Sequence, residues 1–118
     1  MLRTLLATSL LALAAALAAA AQERIYTPTQ AAYLKAEIRK AQERFVDKAA
    51  AVSGVPQARI RDWMPTDGRD VPPKVSILPA LARERGKPLT EEERAAILAA
   101  DQERFQAIEQ AKQTAQQK

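Results

Sequence analysis

The chain has 118 residues, 18 Lys and Arg against 14 Asp and Glu, a formal net charge of +4, and neither cysteine nor histidine. These absences exclude disulfides, thiolate nucleophiles, zinc–thiolate sites and any Ser-His-Asp or Cys-His catalytic arrangement. The mild positive charge is unevenly spread: residues 28–88 carry excess Lys and Arg, whereas residues 89–118 carry excess Glu and Asp.

The first stretch has the order of a secretory signal peptide. Arg3 is followed by an apolar run from Leu5 to about Ala16, interrupted by Thr8 and Ser9. Ala18 to Ala21 supply the small residues of a cleavage site, and Gln22, Glu23 and Arg24 end the apolar character. The alternative is an uncleaved anchor. Leu5–Ala21 is about 26 Å long as a helix, short of a hydrocarbon core of ~30 Å. The expectation is therefore export to the periplasm or beyond the cell. Residues 1–21 would be removed, and residues 22–118 would form one small domain with no membrane span.

Large apolar residues make up roughly a quarter of that domain, near the limit at which chains fold alone. Alanine fills much of the rest. Alanine favours helix but buries little area, so the predicted core is thin.

Thr27-Pro28-Thr29-Gln30 is a helix start, with a threonine cap, proline in the first turn and glutamine at the capping-box position. Leu34, Ile38, Ala41, Phe45, Ala49 and Val52 then follow at steps of three and four, which lays them along one face. Gly54 suits a left-handed stop. The spacing predicts a helix over Pro28–Ser53. Between Pro56 and Pro65 a short helix follows, with Ile60, Trp63 and Met64 on one side. Trp63 is the single tryptophan and the natural anchor of this segment.

Ala50, Gly54, Ile60 and Trp63 have the spacing of a DNA-binding helix-turn-helix. That alternative would turn Gln57, Arg59 and Arg61 toward a groove. It also requires residues 1–21 not to be a signal, so nucleic acid is the disfavoured partner.

Thr66-Asp67-Gly68-Arg69-Asp70 is a turn, and Val71-Pro72-Pro73-Lys74 is extended. Asp62, Asp67 and Asp70 invite a carboxylate or calcium reading. Their spacing is not that of a calcium loop, and Arg61 and Arg69 lie close in sequence to neutralise them. No metal site or cofactor is expected here. Arg59, Arg61, Trp63, Asp67, Arg69 and Asp70 remain as the candidate interaction surface.

A second short helix is predicted around Pro79–Arg85 and ends at Gly86. Thr90 and Glu93 then form a capping box with three glutamates at the positive end of the helix dipole. Ile97, Leu98, Phe105 and Ile108 are the main apolar residues of this last helix, Thr90–Lys112. Beyond Ile108 the polar sequence predicts fraying.

The start Leu89-Thr90-x-x-Glu93-Arg94-x-x-Ile97 resembles the repeat of the LTxxQ family of periplasmic stress chaperones, with Glu93 in place of the family's glutamine. The resemblance covers nine residues and one copy, and implies a small helical protein that cradles unfolded envelope proteins.

The expected fold is all-α: two long antiparallel helices with two short ones at one end or side, centred on Phe45, Trp63, Leu81, Leu98 and Phe105. The expected function is non-catalytic, a module that binds an envelope protein or forms a homo-oligomer. A chaperone-like stress protein and the helix-turn-helix reading are the alternatives.

Overall fold

The structure, a computed structural model, describes residues 25–118. The expected signal peptide, residues 1–21, lies outside them. The described residues form four helices and no strand: α1 (Pro28–Ser53), α2 (Gln57–Arg61), α3 (Ile77–Arg85) and α4 (Glu91–Ala115).

Local chemistry sets the ends of the long helices. The Gln30 amide N–H donates to Thr27 Oγ1 at 3.2 Å, and the Thr27 N–H donates back to Gln30 Oε1 at 2.9 Å. Two of the orphan donors at the start of α1 are thereby satisfied. Gly54 ends α1 at φ 78°, and its N–H donates to the Ala50 carbonyl at 2.9 Å. At α4 the same reciprocal pair forms between Thr90 and Glu93, at 2.9 and 3.1 Å.

α1 and α4 pack side by side and run antiparallel. Ile38 and Ala41 cluster with Ile108, whereas Phe45, Val46 and Ala49 cluster with Ile97 and Ala100. Alanines on both helices stand at this seam. Small side chains let the two backbones approach, at the cost of buried area per residue. The largest cluster lies at the Gly54 end, where Ile60, Trp63 and Met64 from the α2 corner and Ala80 and Leu81 from α3 close over Phe45.

Two expectations fail. Leu98 and Phe105 are not central: they are 55% and 56% exposed. The buried face of α4 is Ile97, Ala100, Ile108, Ala111 and Ala115, spaced by three, four or eight. Leu98 follows Ile97 by one position, about 100° round the helix, so it leaves that face. The second failure is at the tail. α4 continues past Ile108 to Ala115 because Ala111 and Ala115 extend the same stripe into contact. The Gln30 side chain also donates to the Lys118 carbonyl at 3.4 Å, and the Lys118 ammonium lies 4.5 Å from the Tyr33 ring centroid.

The two phenylalanines separate the buried face from the exposed one. Phe45→Ala should cost about 3–5 kcal/mol in urea unfolding, as should Trp63→Ala. In dilute protein Phe105→Ala should change stability by no more than about 0.5 kcal/mol. Equal losses at Phe45 and Phe105 would mean that α4 presents a different face to α1.

Candidate interaction surface

Between α2 and α3 the chain makes a loop whose ends are closed on each other. The Lys74 N–H donates to the Trp63 carbonyl at 2.8 Å, so residues 63–74 leave the corner and return to it, as in an Ω-loop. The outer part is strapped along α1 by one buried side chain. Gln42 Nε2 donates to the Arg69 carbonyl at 2.8 Å, and Gln42 Oε1 accepts from the Gly68 N–H at 3.0 Å. An amide supplies one donor and one acceptor in a plane, so it substitutes for a strand neighbour. Gly68 is required there twice over. Its φ is +86°, and a Cβ would collide with the Lys35 carbonyl oxygen and side chain. On its other side the loop is tied to α4 by Asp70, 2.7 Å from Lys112 Nζ. That contact raises the Lys112 pKa above its ordinary value.

A second staple joins the other end of the molecule. Arg85, at the end of α3, has a side chain only 10% exposed. Its Nη1 donates to Glu93 Oε2 at 2.6 Å and to the Ser53 carbonyl at 3.4 Å. Its Nη2 donates to Glu93 Oε1 at 2.7 Å and to the Pro88 carbonyl at 2.6 Å. Its Nε donates to the Lys87 carbonyl at 3.2 Å. All five N–H groups of the fork are used, two of them in the bidentate carboxylate geometry that arginine favours. The Arg85 fork, followed by the Thr90 backbone N–H, holds the Glu93 carboxyl down at about 2, below its ordinary 4.5.

The six candidate residues fall into two groups. In the corner, Arg59 lies 5.3 Å from the Trp63 ring centroid and pairs with Glu84 at 3.0 Å and Asp62 at 3.3 Å. Arg61 donates to Glu43 at 2.9 Å and to Gln57 at 3.0 Å. Trp63 is 9% exposed and packs in the core cluster. In the loop, Asp67 accepts from both the backbone and the guanidinium of Arg69, which lower its pKa. Asp70 is held by Lys112. The three aspartates are thus spread over three different cations, and among the described residues no group of three or more acidic side chains is placed to hold a metal ion. α2 has five residues, about 1.4 turns, and both arginines on it are engaged within the chain. The Gly54 corner therefore packs as a joint.

The exposed large side chains lie elsewhere. Leu98 and Phe105 stand seven residues apart on α4, within about 20° of each other round the helix axis. Beside Phe105, the strapped loop contributes Val71, 42% exposed, to a shallow depression that also involves Pro72, Ile108 and Lys112. Val75, at the loop's return, is also exposed. Sequence reasoning assigned Leu98 and Phe105 to the core. The signal for their true place was the Ile97-Ala100-Ile108-Ala111 stripe, whose one gap is filled by Arg104, 5.9 Å from the Phe45 ring centroid.

No family model, curated protein or solved structure matches the chain. The nine-residue resemblance at Leu89–Ile97 therefore stands without a family behind it. In the structure those residues serve the helix start and the Arg85 staple.

Two outcomes test the staples. Gln42→Leu leaves the Gly68 N–H and the Arg69 carbonyl without partners, at about 1–3 kcal/mol for each group that stays buried. Hydrogen exchange at Gly68 should then accelerate far more than at Ile97. For Glu93 the folded pKa lies below the unfolded one. The staple's contribution is thus fully present above about pH 4.5 and is lost as pH falls toward about 2. Glu93→Gln should flatten that part of an acid-unfolding curve, while Glu91→Gln should leave it in place.

Proposed function

We propose that the chain is an exported, non-catalytic helical module that binds another envelope or secreted protein, or a second copy of itself. The carrying observation is the exposed pair Leu98 and Phe105 on α4, widened beside Phe105 by Val71. Apolar surface of this kind, rimmed by charge, is characteristic of association sites, because covering it gains about 25 cal/mol per Å². The thin alanine core makes the pairing of these two side chains more telling. The few large apolar residues are needed inside, yet two of them stand on one outer face.

The export part of the reading rests on residues 1–21 and their order of charge, apolar run and small residues. It suits the rest of the chain. A cysteine-free chain needs no oxidative folding. On this reading the corner arginines and the loop aspartates hold the shape that presents α4, and they are not the contact surface themselves.

Fractionation and one double variant check the proposal. The intact mass in the periplasmic or extracellular fraction should be short by about 20–21 residues. Full-length protein confined to the cytoplasm would overturn export. Leu98→Ser combined with Phe105→Ser should leave the melting temperature of dilute protein near that of the parent. It should remove the cross-linked species, whether with itself or with another protein, that the parent forms in the cell. Retention of those species would move the site off α4.

A further inference from the structure

The face that carries Leu98 and Phe105 is complementary to itself. One turn before Leu98 stands Arg94, and a turn further back Glu91. One turn after Phe105 stands Glu109, and then Lys112. At about 100° per residue all six fall within a sector about 60° wide. Charges of opposite sign thus flank the apolar pair, in reversed order at its two ends.

We infer that α4 docks on α4 of a second copy in an antiparallel, two-fold pairing centred between Asp101 and Gln102. This deepens the proposal above by naming the partner, and it rests on that reading of the apolar face. A two-fold axis at this point sets Leu98 opposite the other copy's Phe105. Arg94 comes opposite the other copy's Glu109, and Glu91 opposite its Lys112. Each of these contacts occurs twice, as an isologous interface requires, while Gln102 and Asp101 meet their own copies at the axis, the Asp101 charge being met by Arg104 at 2.8 Å. A parallel pairing sets Glu91 on Glu91 and Lys112 on Lys112, which is repulsive at every charged position. The occupant is a second copy and not a foreign helix because both halves of the charge pattern are already on this chain.

The monomer leaves the pattern partly unspent. Among the described residues Glu91 and Arg94 form no ion pair, whereas Glu109 and Lys112 pair with each other and Lys112 with Asp70. Docking brings the two unpaired charges onto an existing Glu109–Lys112 pair and extends it into a four-membered row at each end of the interface. Val71, next to Phe105 on the loop side, widens the apolar centre.

The test is sedimentation equilibrium over a concentration series of the purified protein, together with charge swaps and single cysteines. The parent should pass from monomer to dimer. Arg94→Glu alone and Glu109→Arg alone should each weaken the dimer about tenfold, since each places like charges opposite twice over. The two swaps combined should restore it.

The chain has no cysteine, so Gln102→Cys offers a folding-independent check. It should form an intermolecular disulfide on mild oxidation, because the position lies next to the axis. Ala95→Cys should not, because the antiparallel register carries it away from its own copy. Cross-linking of both variants would overturn the antiparallel register. A parent that stays monomeric throughout would overturn the dimer. A monomer that still loses a cross-linked foreign protein when Leu98 and Phe105 become serine would overturn this inference while leaving the module reading intact.

Discussion

The fork of Arg85 is the interaction on which the rest of the architecture depends. One guanidinium gathers the end of α1 through Ser53, the linker through Lys87 and Pro88, and the start of α4 through Glu93. Its own helix, α3, delivers Leu81 to the core cluster. Four pieces of chain therefore meet at one planar group. Such a group tolerates little rotation, because each N–H must point at its acceptor. Glu93 is bound twice over, as the carboxylate of the Arg85 pair and as the return half of the α4 capping box. The same side chain that starts α4 also fixes the direction in which it leaves.

The far end is held by different chemistry with the same result. Gln42 grips the loop backbone against α1, and Asp70 carries the loop to Lys112 on α4. The partly exposed Asp70–Lys112 pair is worth little by itself in water. The buried amide is worth more, since its removal strands two backbone groups. Polar fastening at both ends makes physical sense over an alanine seam. Small side chains give the helices close approach but few interdigitating shapes, so sliding and rotation are weakly opposed by packing alone. Directional hydrogen bonds supply the missing resistance.

What was legible in the sequence was whatever is written within about four residues. The cap pairs Thr27–Gln30 and Thr90–Glu93, the stop at Gly54 and the α1 stripe all follow from local spacing. They define both long helices and the corner. The staples were not legible. Gln42 meets Gly68 and Arg69 more than twenty residues away, and nothing near Arg85 marks it as a hub rather than a solvated cation. The buried face of α4 was misjudged for a more instructive reason. Its sequence carries two apolar stripes, Ile97–Ile108 with alanines and Leu98–Phe105 with charges. Side-chain size does not tell which of the two is core, because each carries two large apolar residues. Of the candidate surface residues, Arg59, Arg61, Asp67, Arg69 and Asp70 were chosen for their charge. Each turned out to have a counter-ion within the chain, and Trp63 turned out to be buried.

The two stripes explain why an apolar face remains outside. Turning α4 by about 100° would bury Leu98 and Phe105 and expose Ile97 and Ile108 in their place. The apolar balance of that exchange is small, since the two pairs are of similar size. Hydrophobic burial alone therefore does not choose between the faces. The staples do. A rotated α4 carries Glu93 away from the Arg85 fork and Lys112 away from Asp70, and it leaves buried donors without acceptors at the Arg85 end. Polar geometry at the two ends thus decides which apolar stripe is spent on the fold and which is left for a partner. A surface exposed by constraint in this way keeps its shape before anything binds, so association would not have to order it first.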